Sequence, residues 1–257
     1  MVTTVAPGDS VLLSYTSCSS CPACEEHKPS ACLQWQAMNF GRVRGGGFVD
    51  AAGAKMAGKG DALVHGAFFG QSSMANMAIV SEASVSSDTD LVALAPLGCG
   101  LMTGSGAVIN RLRPTPDSSI AIYGLGAVGM SGILAPAHLK VSTIVAIDVV
   151  PSRLAIAKEF GATHTLDARA PDVLAQLRPG VKPDFAIFEH VCTAKIYSAV
   201  LMGCCYPREF VPFLIDLHRQ GKFPIEKISK KYKVDQFQEA ILAMETGEVI
   251  KPIIVFD

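Results

Sequence analysis

The chain has 257 residues, 49% hydrophobic and 18% charged, with a formal net charge of −1. That is enough apolar material to bury the core of one large domain or two small ones, and it excludes a disordered chain. The near-neutral balance gives no electrostatic reason to bind nucleic acid or an anionic membrane surface.

No apolar run reaches the roughly 18 residues of a membrane span. Residues 1–10 lack a signal peptide's basic start and apolar middle, so an intracellular, cytoplasmic location is expected. In chain order, residues 1–95 come first. They are rich in Gly, Ser, Val and Ala, with strand-like pieces at 10–15 and 74–80 and few helical periods, and predict a β-rich domain.

Within that region "SCSSCPACEEHKPSAC" carries four of the chain's eight cysteines. Cys18, Cys21, Cys24 and Cys32 are spaced C-x2-C-x2-C-x7-C, which lets a short backbone offer four thiolates to one ion. In a reducing compartment clustered cysteines favour metal over disulfide. Structural zinc leads. An iron–sulfur cluster competes, because C-x2-C-x2-C also opens the ferredoxin run, but that run continues x3-C-P whereas the fourth sulfur here comes after seven residues and is followed by Leu33. Unliganded thiols or a disulfide are the third reading. With four protein ligands the ion has no open position, so it staples a loop rather than catalyses.

Next comes "PLGCGLMTGSGAV". Its paired glycines follow no strand and are not read as a nucleotide turn, and Cys99, taken alone, reads as a buried inert thiol at a strand-to-helix junction. Residues 120–123 predict a short buried parallel strand, after which Gly124, Gly126 and Gly129 form G-x-G-x-x-G at the mouth of a helix. The first glycine permits the tight turn, the second lets a pyrophosphate approach the backbone, and the third lets helix and sheet pack closely. The free amides of the helix start receive the phosphate charge.

A second strand at 143–147 ends in Asp148, placed 19 residues after Gly129, where a carboxylate would accept the adenosine ribose hydroxyls and repel a 2′-phosphate. NAD is therefore favoured over NADP; the bland alternative is an ordinary strand-to-helix turn with a surface aspartate. Pro151 opens a helix over 153–160 that Gly161 stops. Strands at 163–166 and 184–188 with a helix at 171–177 continue the alternation of a doubly wound sheet. Pro136 falls inside the first helix and predicts a kink or an early end. Helices at 207–221 and 235–247 and a strand at 251–256 close the chain.

These pieces together resemble the zinc-containing medium-chain alcohol dehydrogenases. The cysteine lobe, "PLGCGLMTGSGAV", and "IYGLGAVG" with Asp148 occur in the family's order, and "FFGQSSMANMAIV", the wording around residues 39–44 and the ending "KPIIVFD" are most similar to the aryl-alcohol (benzyl-alcohol) branch. The resemblance implies an α/β fold, a GroES-like β-rich catalytic domain plus a Rossmann doubly wound parallel sheet, both incomplete. It implies a division into a catalytic domain at 1–112, an NAD-binding domain at 113–206, and a segment at 207–257 returning to the catalytic domain.

It further implies an oxidoreductase that moves hydride between a primary or aromatic alcohol, or the aldehyde, and NAD. A second zinc, held by Cys, His and Cys, polarises the alcohol oxygen in such enzymes, and Cys99 matches one of those ligands. Arg153 is implied near the adenosine ribose.

Members of the family begin well before "VAPGDSVLLSY", and the other catalytic Cys and the Gly-His-Glu segment lie in that earlier part. No Gly-His-Glu occurs here. His27 reads as a solvated loop residue, and His65, His138, His164, His190 and His218 lack partners at ligand spacing. Cys192, Cys204 and Cys205 read as buried or incidental thiols. The family is homo-oligomeric, but its dimer-forming part is expected to be absent. A catalytically inactive relative that keeps structural zinc and part of the NAD site is the second expectation.

Overall fold

The computed structural model describes residues 5–40, 69, 85–87, 91–171, 185–187 and 200–256. The chain forms two compact units: residues 1–89 with 206–208, and residues 90–205 with 209–257.

In the first unit β1 (Val11–Leu13) pairs antiparallel with β2 (Val85–Ser87), Leu12 lying opposite Ser86. The strand expected at 10–15 is thus a three-residue ladder; the one expected at 74–80 and the helix at 171–177 lie outside the described residues, apart from Pro171. Two short helices follow β1, α1 (Pro22–Glu25) and α2 (Trp35–Asn39).

The second unit opens with α3 (Leu91–Leu94), a 3-10 turn, and α4 (Gly100–Gly106), which widens into a π turn at Ala107–Leu112. Leu94, Leu97, Leu101, Met102 and Val108 are all buried here. The glycines of "TGSGAV" belong to this helix and serve packing: a methyl group on Gly104 would stand 1.9 Å from the Val128 carbonyl oxygen, so α4 lies against the next long helix almost backbone to backbone. Among the described residues no single helix is long and apolar enough to cross a membrane.

A four-stranded parallel sheet forms the centre of this unit, in the order β5-β4-β3-β6. Its strands are β3 (Ser119–Tyr123), β4 (Thr143–Asp148), β5 (His164–Asp167) and β6 (Phe185–Ile187). Ile120, Ala121, Ile122 and residues 144–148 are buried, as strands covered on both faces must be. Helix α5 (Ala127–His138) connects β3 to β4, and α6 (Pro151–Glu159) connects β4 to β5. Helix α5 carries Pro136 inside and stops two residues later, the early end expected of it. Gly161, at φ +105°, ends the turn after α6.

The C-terminal segment holds α7 (Pro207–Arg219), β7 (Ser229–Lys233), α8 (Phe237–Glu245) and β8 (Lys251–Val255). Strands β7 and β8 pair in parallel, and Tyr232, Ala240, Ala243 and Val249 form a small core with Ile254 packed against it. Strand β7 was not expected, because "SKKYK" presents Tyr232 alone as a buried apolar position and so carries no alternation to read.

Candidate functional site

The cysteine loop is built from turns too short to be stable alone. Cys21, in extended conformation, precedes α1, whose first residue is Pro22; His27 at φ +58° turns the chain, and a 3-10 turn at Pro29–Ala31 delivers Cys32. The result brings the Sγ atoms of Cys18, Cys21, Cys24 and Cys32 within 4.8 Å of one another. Cys21 and Cys24 are 3.6 Å apart and Cys18 and Cys24 3.9 Å, which brackets the roughly 3.8 Å edge of a sulfur tetrahedron around zinc with about 2.3 Å bonds.

The donor set also fits in charge. The Cys18 and Gln34 amides each donate to Cys32 Sγ at 3.4 Å, spreading thiolate charge into the backbone. Hydrogen bonding from the Ser20 backbone lowers the Cys18 thiol to about 6, and the Leu33 backbone lowers Cys21; burial raises Cys32 to about 11. A divalent cation among them is the counter-charge that would let Cys32 ionise. Among the described residues this is the one group of three or more potential ligands close enough to share an ion.

Asn39 is a site residue that sequence reasoning missed. It is fully buried in α2 and reaches back 23 residues: the Thr16 amide donates to Asn39 Oδ1 at 3.0 Å, and Asn39 Nδ2 donates to the Thr16 and Trp35 carbonyls. The chain before Cys18 and the helix after Cys32 are thereby tied together. Trp35 packs beside this tie with Tyr15, Phe40 and Phe69. No local pattern announces a contact between residues so far apart in sequence.

The glycine turn lies at the carboxyl end of β3. Gly124, at φ +81°, prolongs the ladder by donating its amide to the Ile147 carbonyl at 2.8 Å. A methyl group on Gly129 would stand 1.8 Å from the Gly124 carbonyl oxygen, so the first turn of α5 is pressed against the loop that enters it. Gly126 is the opposite case: it is the N-cap of α5, no side chain caps the helix, and a methyl group there would meet nothing within 4 Å. Uncapped amides above open space are the form a phosphate cradle takes.

Asp148 ends β4 beside this turn, as its position implies, but it is buried, at 6% exposure, and both carboxylate oxygens are engaged. The Leu125 amide donates a short bond to Oδ2 and the Val150 amide donates to Oδ1 at 2.8 Å. The side chain therefore ties the glycine turn to the start of α6, leaving its remaining lone pairs for a ligand. Arg153 follows in the first turn of α6, half-buried, with its Nε buried and without a hydrogen-bond partner.

Cys99 immediately precedes α4, and its carbonyl accepts from both the amide and the hydroxyl of Thr103 at 2.9 Å. Cys99 is an exposed residue after a 3-10 turn rather than a buried one after a strand, yet protein around its thiol is enough for desolvation to raise its pKa, against the pull of Lys251. Among the described residues no group of three or more ligands includes Cys99. Cys205 is fully buried against the Met102 and Gly203 carbonyls, and burial pushes its thiol up; Cys204 is exposed.

His27 is exposed and its ring stands edge-on to Tyr206; His164 bonds Thr163, and His218 faces the Phe223 carbonyl at 2.8 Å. His138 packs on Phe213. None belongs to a metal group of the described residues. His65, His190 and Cys192 lie outside them.

Comparison with known proteins gives this arrangement its family. No family model matches the chain. It is 34% identical over 302 aligned positions to geraniol dehydrogenase of Castellaniella defragrans, covering 99% of this chain and 79% of that one. It is 33% identical to a probable alcohol dehydrogenase of a Pseudomonas species, covering 70% of this chain and 58% of the relative. The crystal structure of benzyl alcohol dehydrogenase from Acinetobacter calcoaceticus superimposes with a TM-score of 0.83 at 32% identity, over 100% of this chain and 80% of that one.

The fold is that of the alcohol dehydrogenases, a GroES-like unit and a Rossmann unit. The chain belongs to the zinc-containing medium-chain alcohol dehydrogenase family.

Proposed function

We propose that the chain is an oxidoreductase that transfers hydride between a primary or aromatic alcohol and NAD, with a structural zinc held by Cys18, Cys21, Cys24 and Cys32. The observation that carries this reading is the uncapped, open start of α5 at Gly126 with the Asp148 carboxylate beside it. Sequence identity to geraniol dehydrogenase and likeness to benzyl alcohol dehydrogenase support an alcohol, rather than another hydride donor, as substrate class.

In this reading Gly124, Gly126 and Gly129 shape the pyrophosphate cradle, Asp148 accepts from the ribose hydroxyls, and Arg153 lies near the same ribose. NAD, when bound, supplies the hydride acceptor; the chain's own residues bind and orient it. The four-cysteine zinc supplies no chemistry to the substrate, because its coordination is complete. Cys99, accessible and surrounded by protein, is the residue we assign to a catalytic zinc, of which it would be one ligand. Divided by role, the chain runs over 1–112, 113–206 and 207–257, boundaries that differ from those of the two compact units, in which residues 209–257 belong with the parallel sheet.

The test is formation of NADH from NAD by the zinc-loaded chain with benzyl alcohol, geraniol and short primary alcohols. Alcohol-dependent NADH formation that Cys99→Ala abolishes supports the reading. Binding of NAD without turnover of any alcohol would instead identify an inactive relative.

A further inference from the structure

The two cysteines of "CPAC" share one turn of α1. Cys21 is the N-cap, Pro22 the first helical residue, and Cys24 lies in the same turn, which the Glu25 amide closes by donating to the Cys21 carbonyl at 3.0 Å. Their Sγ atoms are 3.6 Å apart, closer than the 3.9 Å between Cys18 and Cys24. Cysteines joined by a single helical turn have Cα atoms within the roughly 4.4–6.8 Å that a disulfide spans, so a bond between these two needs only a small movement of the sulfurs.

The four sulfurs also differ in how solvent reaches them. Cys18 and Cys24 are half-buried, whereas Cys21 and Cys32 are buried. Cys32 is further restrained, because its Sγ accepts from the Cys18 and Gln34 amides. An oxidant arriving from solvent therefore meets Cys18 or Cys24 first, and of these two Cys24 is the one that shares a helical turn with another thiol. An accessible thiolate with a second thiol poised beside it is the arrangement of a redox-sensing pair.

We propose that Cys24 and Cys21 are such a pair, through which a hydroperoxide opens the cysteine loop and releases its zinc. The Cys24 thiolate attacks a peroxide oxygen; the O–O bond breaks, hydroxide leaves with the bonding electrons, and Cys24 becomes a sulfenic acid. The Cys21 thiolate then attacks the Cys24 sulfur; the S–S bond forms, the S–O bond breaks, and a second hydroxide leaves. Two protons from solvent turn both hydroxides into water. The thiolates give up two electrons in all, and one hydrogen peroxide is reduced to two waters. The disulfide removes two of the four anionic donors, and Cys18 with Cys32 cannot complete a tetrahedral site. The proposal rests on the structural-zinc reading given above.

The experiment treats zinc-loaded protein with hydrogen peroxide, follows released zinc with a chromogenic chelator, alkylates the remaining thiols and locates disulfides by peptide mass spectrometry. About one zinc should leave per disulfide formed, with the bond between Cys21 and Cys24 and with Cys18 and Cys32 alkylated; dithiothreitol with added zinc should reverse the change. In Cys24→His the histidine keeps a metal donor without an oxidisable sulfur, and zinc release should slow by at least about tenfold. Cys204→Ser removes an exposed thiol outside the loop and should release zinc at the wild-type rate. The disulfide map needs no variant and decides by itself: a bond joining any other pair, or zinc retained after Cys21 and Cys24 are linked, would overturn the proposal, as would unchanged release from Cys24→His. Wild-type protein that takes up no zinc would overturn the structural-zinc reading itself, and this proposal with it.

Discussion

Gly126 and Gly129 stand three residues apart and answer to different constraints. A side chain on Gly129 collides with the Gly124 carbonyl, a backbone atom that cannot turn aside, so Gly129→Ala should cost more than about 3 kcal/mol in denaturant unfolding. A side chain on Gly126 meets open space, so Gly126→Ala should leave stability within about 1 kcal/mol while weakening nucleotide binding. The sequence motif already assigns Gly126 to the phosphate and Gly129 to packing; the space around each supplies the physical ground, a collision at Gly129 and open space at Gly126. Asp148 shows the limit of such reading. Its place at the end of a strand could be read from spacing, but its bonds to the Leu125 and Val150 amides could not, because they depend on how two loops meet.

His138 gives a pH signature at the same scale. Desolvation, and then the nearby Lys222, hold its imidazole below the ordinary value of 6.5. The unfolded chain therefore takes up this proton before the folded chain does, and stability falls as the pH drops through and below that value. His138→Gln should flatten the acid side of the stability profile, measured as the unfolding midpoint against pH.

At the scale of elements, the proposed zinc is what would hold the cysteine loop together. Helices α1 and α2 have four and five residues, too few to persist without tertiary support. Trp35, the chain's single tryptophan, is buried at 6% exposure three residues after Cys32, and it reports on this loop directly. Chelation of zinc, or Cys21→Ser, should shift its emission to longer wavelength and release the Asn39 tie to Thr16; an unchanged spectrum after complete removal of metal would contradict a stapling role. The clustering of the four sulfurs was legible because cysteines this close in sequence can converge within one short loop. Strand β7 was not, because its lysines follow the solvent and leave Tyr232 alone to mark the buried face. Helix α4 was implied only through the placing of Cys99 at a strand-to-helix junction, because its small residues, which let helices touch, give little helical signal of their own.

At the scale of the whole molecule, the sequence places a sulfur cluster first and a dinucleotide turn after it, and the fold keeps these in two separately compact units. The parallel order β5-β4-β3-β6 puts the glycine turn at the end of a central strand, next to the point where the chain crosses from one side of the sheet to the other. That is where open α/β sheets bind ligands. The central claim is that this turn holds NAD. The measurement that tests it most directly is titration of the zinc-loaded chain with NAD, beside Gly126→Val protein of matched stability. The account predicts saturable binding of roughly one nucleotide per chain that the valine abolishes; no binding by the wild type, or equal binding by both, would contradict it.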